Sequence, residues 1–211
     1  MELIPADERD STWERDDARF RIYVFTGADH AVDTHDLLDA SVDDALEAAR
    51  ELAGDDDELW SLALVENDAR GLRGLLWLSG MDYNDAPDGA RQWRARALMQ
   101  DRCLAARVRR GRAPLLPDGR RVIRLFPEYG GGLPVWQSFT ERYRLEPADL
   151  GFDEGRDRDL IARLRTWNEE WQDIPEGGTP AAGWSDEGAS LRDDLQRVLG
   201  SGAEVRPDYL F

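Results

Sequence analysis

Four oxygen-bearing side chains, Asp82, Asn84, Asp85 and Asp88, fall within seven residues of a 211-residue chain. Hard oxygen ligands at such short spacing suit Mg²⁺ or Ca²⁺. The EF-hand pattern fails, however, because Ala86 stands where its third ligand belongs and the required Gly and closing Glu are missing. The same loop reads more simply as a turn into a helix with Asp85 or Asp88 as N-cap. If the chain is an enzyme, Asp82 and Asp85 are its acid/base candidates, because burial can tune a carboxyl group to the task. Tyr129 is the third candidate. It lies in Glu128-Tyr129-Gly130-Gly131-Gly132, which lacks the Gly-Lys-Ser/Thr of a phosphate-binding loop. That run therefore reads as a flexible turn, with a backbone anion nest as the alternative. His30 and His35 are five apart, whereas the zinc-protease pattern needs four with a glutamate between. Cys103, the one cysteine, reads as a small core residue in mid-helix. It cannot form an internal disulfide, and with two histidines it cannot supply a usual structural zinc site. There is no Gly-x-Ser-x-Gly, and no lysine to serve as a Schiff-base or general-base amine. The expectation is no cofactor and no metal, with Asp82, Asn84, Asp85 and Asp88 as the alternative metal set.

Charge is the most informative property. The chain has 44 acidic and 27 basic residues, all 27 arginine, for a net charge of −17. The absence of lysine is most simply the codon bias of a GC-rich genome, selection against an amine being the other reading. From Arg91 to Arg124 there are eleven arginines and two acids, so this segment is +9 and the remainder −26. Two readings follow. In one, Arg91, Arg94, Arg102 and Arg109 neutralise acidic runs such as Asp43-Asp44 and Asp55-Asp56-Asp57. Otherwise Arg91, Arg94, Arg102, Arg109 and Arg121 form an anion-binding patch. Nucleic acid is disfavoured, since the surrounding acidic charge repels a polyanion. Anionic lipid is disfavoured for the same reason. Residues 1–17 carry neither a basic region nor an apolar stretch, and no run of about 18 apolar residues occurs. A cytoplasmic protein off the membrane is expected.

The elements that must hold these residues predict an α+β fold. A mostly antiparallel sheet of four or five strands packs against helices, and the C-terminal third is helical. Phe20 to Phe25 alternates like a strand. Gly27 to Asp39 reads as a polar loop. Ser41 opens a helix over 45–53 with a capping-box pattern, Asp44 replacing the usual Glu. Leu59–Val65 and Leu72–Leu78 flank a turn composition and read as a hairpin. Asp88 to Gly111 predicts a long helix and Arg121–Phe126 a strand. Leu160, Ile161, Leu164, Trp167 and Trp171 recur at helical spacing, which predicts a core-facing stripe. Leu191 to Leu199 marks a final helix, and Ala203–Arg206 a short terminal strand. The organisation expected is an α+β part over 1–126, β-α-β-β followed by the long helix and a strand. A mainly helical part over 127–211 follows, either separate or continuous with the first.

The segments Arg121-Val122-Ile123-Arg124-Leu125-Phe126-Pro127-Glu128-Tyr129-Gly130, Leu133-Pro134-Val135-Trp136 and Leu164-Arg165-Thr166-Trp167-Asn168-Glu169-Glu170-Trp171 carry a resemblance. They are similar to uncharacterised proteins of high-GC Gram-positive bacteria with an RLFP-Y-G…P-W…RLR-WN-W pattern. The resemblance implies a bacterial source and a unit running from residue 121 to the C-terminus. It transfers no activity and no functional residue. Charge and the missing catalytic motifs together point to a non-enzymatic acidic binding protein, such as an immunity or antitoxin-like inhibitor of a basic protein partner. The alternative is a small enzyme with a carboxylate-based site in the 82–88 loop, acting on an anionic substrate held by arginines. An assembly role, marked by an exposed Trp167/Trp171 stripe, is a third.

Overall fold

Strict alternation of apolar residues along Phe20, Ile22 and Val24 builds a strand with two different faces, and the first layer of the fold follows from it. A computed structural model describes residues 3–11, 14, 16–153, 155–175 and 178–210. Strands β1 (Arg19–Thr26), β2 (Ala31–Leu38), β3 (Leu59–Asn67) and β4 (Arg73–Ser79) form an antiparallel sheet in the order β2-β1-β3-β4. Phe20, Ile22 and Val24, with Trp60 and Leu62 of β3, meet helix α1 (Val42–Leu52). The helix contributes Ala45 and Ala49, and Ala53 just beyond its end joins them. Three small residues at a four-residue step let the backbone of α1 lie close to the sheet. Ser41 caps α1 in the capping box expected, its hydroxyl accepting from the Asp44 N–H and Asp44 accepting from the Ser41 N–H. On the opposite face Phe25 and Leu59 pack under helix α2 (Ala90–Arg109), against Met99, Cys103 and Leu104.

Residues 27–39 are not the loop expected but a tight turn and the strand β2, paired with β1 along its whole length. The turn uses left-handed backbone at Gly27 and His30. β2 escapes the alternation test because it is an outer strand exposed over most of its length, so Asp33, Thr34 and Asp36 interrupt its apolar residues. Arg21 and Asp36 face each other across the β1/β2 pair, with Nε to Oδ1 at 2.7 Å. That hydrogen bond, and a second arginine at position 19, hold the Asp36 carboxyl far below its ordinary range.

The sheet is also not single. Strands β5 (Arg121–Leu125), β6 (Val135–Trp136) and β7 (Ala203–Pro207) form a second, three-stranded sheet in the order β6-β5-β7. β5 runs parallel to β7 and antiparallel to β6. Helices α3 (Arg158–Gln172) and α4 (Trp184–Leu199) pack on one side of it around Leu164, Leu191, Leu195 and Val205. Helix α4 starts seven residues before the Leu191 that marks it in sequence. β5 divides its side chains between two cores: Val122 joins the α2 core, and Ile123 and Leu125 join the α3/α4 core.

The C-terminal core closes on tryptophan. The indoles of Trp167 and Trp184 stack at 4.4 Å and 9°, and the Tyr209 ring stands edge-on to both. Each indole N–H donates to the other residue's carbonyl, at 2.9 and 3.0 Å. Trp167 is therefore core, and only Trp171 is left half-exposed, beneath the Tyr129 ring. Gly188 of α4 makes this possible, since a Cβ there would lie 2.8 Å from the Tyr209 ring and 3.1 Å from Trp167. In an open helix Gly→Ala stabilises by about 1 kcal/mol. Here Gly188→Ala is expected to destabilise by about 1–3 kcal/mol. Urea unfolding followed by tryptophan fluorescence checks the sign, and a gain in stability contradicts this packing.

Candidate functional site

Alternation along β7 sends Ala203 and Val205 into the α3/α4 core and leaves Glu204 and Arg206 for the other face, which lies against α2. All five residues of β7 are buried. A buried carboxylate must be paired and hydrogen-bonded to remain charged, and α2 supplies the partners. Arg96 and Gln100, one turn apart, both reach Glu204. The Arg96 guanidinium donates from Nε to Oε1 at 2.5 Å and from Nη2 to Oε2 at 2.9 Å, while Gln100 donates to Oε1 at 2.8 Å. Arg120 approaches Oε2 at 3.1 Å. Arg96 also donates to the Tyr83 carbonyl at 2.6 Å and lies 3.7 Å above the Tyr83 ring. Burial opposes ionisation of Glu204. The Arg96 hydrogen bonds and the charges of Arg96 and Arg120 overcome it and hold this carboxyl below its ordinary range.

A second cluster sits beside the first. Arg206 donates to Asp208 at 2.6 Å and to Asp101 of α2 at 2.9 Å, and Arg124 of β5 pairs with Asp208 from the other side. At the near end, Asp118 pairs with Arg120 and stands 3.2 Å from Nε2 of His30 without the alignment of a hydrogen bond. The His30 ring meets Tyr83 edge-on at 4.8 Å. Burial lowers the His30 pKa, and Arg120 and Arg96 add to the effect against the opposing pull of Asp118 and Glu204. The network joins the two sheets through α2. Glu204, Asp208 and Asp118 are shielded from water and already occupied by arginine, while Asp101 at the margin stays partly exposed, so Glu204 is not poised to act on a substrate.

The residues singled out from sequence are dispersed. Asp82 accepts the Asn84 N–H at 3.0 Å within the turn, and Asn84 donates to the His30 carbonyl at 3.2 Å. Neither Asp85 nor Asp88 is the N-cap of α2. That position is Gly89, with φ 86° and no side-chain cap, because the chain enters the helix through left-handed backbone. Asp82, Asp85 and Arg91 do line one open groove of about 320 Å³ with Leu75 and Trp77. Tyr129 is elsewhere, packed at 4.8 Å on Trp171. Among the described residues no three His, Cys, Asp or Glu side chains stand together as a metal site. Arg91 and Arg109 are separated by the length of α2, about 27 Å at 1.5 Å per residue. Between them Arg102 turns inward, 3.6 Å over the Trp60 ring, and donates to the Trp60 carbonyl and the Ser79 hydroxyl. Its burial lowers its pKa to about 10. Arg121 donates to Gln137 at 2.7 and 2.9 Å, and Arg94 is exposed on α2. Burial pushes the Cys103 thiol up to about 12, so it remains a protonated core group, donating to the Asp57 carbonyl.

The acidic run 55–57 is neutralised, but by other arginines than those expected. Arg107 and Arg112 approach Asp57, and Arg110 approaches Asp55 at 3.5 Å. Asp56 accepts the Trp60 indole N–H at 2.7 Å and has Arg50 of α1, outside the basic segment, at 3.5 Å. The partners sequence reasoning missed are Glu204, Arg206 and Asp208. A Glu and an Arg inside a short apolar strand, Ala-Glu-Val-Arg-Pro, are the one signal that could have found them.

Two outcomes follow. Glu204→Gln leaves Arg96 buried without its counter-charge, and a loss of about 3–5 kcal/mol is expected in urea unfolding. A loss within about 0.5 kcal/mol, the range of ordinary surface substitutions, contradicts the network. The depressed His30 pKa means that the unfolded chain binds the proton more readily than the folded one. Stability is then full above the ordinary histidine pKa of about 6.5 and is lost as pH falls below it. Melting temperatures measured across that window fall on acidification, and His30→Gln flattens the fall. An unchanged slope in the variant contradicts the assignment.

Among the described residues no helix is long and apolar enough to cross a membrane. Comparison of the chain with protein-family models, curated proteins and solved structures yields no match, so its function has to be argued from these residues.

Proposed function

We propose that this chain is a non-enzymatic acidic binding protein that engages a basic protein partner, in the manner of an immunity or antitoxin-like inhibitor. One observation carries the reading: more than half of the basic segment's arginines are spent on carboxylates of the same chain. Of its arginines, Arg96, Arg107, Arg110, Arg112, Arg120 and Arg124 pair with carboxylates of the same chain. Those pairs cancel charge without altering the total of −17. The remaining excess is therefore acidic, and much of it is exposed, as at Asp29, Asp33, Asp39, Asp43, Glu47 and Glu51 along β2 and α1. Such a surface attracts a cationic protein and speeds the encounter, and it needs no catalytic residue.

A second reading draws support from the groove that holds Asp82, Asp85 and Arg91 together. In it these groups act on a small anionic substrate. Asp85→Asn then abolishes turnover while leaving melting unchanged.

The leading reading is tested by capture from source cells at low salt after nuclease treatment. A stoichiometric basic protein is expected, released as salt rises, with the association rate falling more steeply than the dissociation rate grows. The double variant Glu47→Arg, Glu51→Arg, which reverses charge on the exposed side of α1, is expected to slow association about tenfold or more at low salt. Recovery of no basic partner, or a complex indifferent to salt, overturns it.

A further inference from the structure

The two outer strands of the four-stranded sheet are finished differently. β2 carries Asp33, His35 and Asp36 along its length, and charge is how natural sheets keep an edge from pairing. β4 carries no charged side chain from Gly74 to Ser79. Yet Leu75, Leu76 and Leu78 are 39%, 55% and 44% exposed, and Leu72 just before the strand is 62% exposed. The register shift against β3 falls between Leu62 and Ala63, at the far end of β4, so Arg73 to Trp77 form a regular strand, and among the described residues no strand pairs with its outer edge.

We propose that β4 is a dimerisation strand: two copies of this chain pair antiparallel through β4, about a twofold axis near Leu76, and merge their sheets into one of eight strands. A twofold interface must be self-complementary, and β4 is. Pairing about Leu76 sets Leu76 against itself and Leu75 across from Trp77 of the other copy, an aliphatic–aromatic cross-strand pair. The ends match in charge as well. Arg73, Leu75 and Trp77 share one face by their register with Asn67, Val65 and Ala63. On that face, beyond the far end of β4, Asp82 and Asp85 line the groove beside Leu75 and Trp77. Each copy therefore brings Arg73 to the acidic end of the other. The net charge of −17 opposes contact between copies elsewhere, and the uncharged strip of β4 is where they can approach. A strand pair of at most the seven residues of β4 from each copy, with its flanking groove, buries less than the roughly 1,200–2,000 Å² of a tight interface. A weak, reversible dimer is accordingly expected.

Sedimentation equilibrium of the full chain, from micromolar to sub-millimolar concentration, tests this. A monomer–dimer equilibrium is expected that persists at high salt, which separates it from the salt-labile basic partner proposed above. Leu76→Lys places two like charges at the axis and is expected to weaken the dimer at least about tenfold, with Leu78→Lys as the second variant if the first unfolds. Val32→Lys on β2 leaves the equilibrium unchanged. A monomer at every concentration overturns the proposal. So does a dimer that a folded β4 variant leaves intact, or one that Val32→Lys abolishes.

Discussion

The hydrogen-bonded charge pair between Arg96 and Glu204 is the constraint on which the arrangement of this molecule depends. A carboxylate on a fully buried strand is tolerated only with a cation fixed beside it. Arg96 lies 108 residues earlier in the chain. That one requirement places α2 over β7, and α2 already lies on the four-stranded sheet through Met99, Cys103 and Leu104. The two sheets are thereby held on one helix. Arg206 repeats the arrangement one step along β7, tied to Asp101 of α2 and to Asp208. A joint made of paired charges fixes register and orientation in a way that apolar contact alone does not, because a displacement of one residue strands a charge in the interior.

Much of the fold was legible in sequence. The alternation of Phe20 to Phe25, the Ser41 capping box, the helical spacing of Leu160 to Trp171 and the α+β class all appear in the structure. Local signals announced these elements because each has one apolar face and a recognisable boundary. Strand β2 was hidden because an outer strand bonded along one edge tolerates aspartate where an inner strand does not. Separation into two sheets was hidden for another reason. Which strands pair is decided by contacts across many residues, such as β5 with β7, and no local pattern encodes them.

The site was less legible than the fold. The charge split between 91–124 and the remainder was plain in composition, and its internal neutralisation was one of two readings it allowed. Which carboxylates do the neutralising was not readable. The Asp57 carboxylate accepts from Arg112 and stands 3.7 Å from Arg107 because the turn after α1 meets the end of α2. Glu204 and Asp208 meet Arg96 and Arg124 only once β7 has been laid beside β5. The acidic loop at 82–88 drew attention through the density of its oxygens. Its first carboxylate serves the turn itself, and Asp82 and Asp85 border a groove flanked by leucine and tryptophan.

Arg96 of the arginine-rich segment and Arg206 of β7 form an internal joint and are not part of a surface patch. Limited modification with an arginine-selective dicarbonyl, mapped by mass spectrometry on the native chain, tests it directly, since no lysine competes for the reagent. The exposed Arg91 and Arg109 are predicted to react readily, and Arg96 and Arg206 only once the chain is unfolded. Modification of Arg96 and Arg206 in the native protein at the rate of Arg91 would contradict the account.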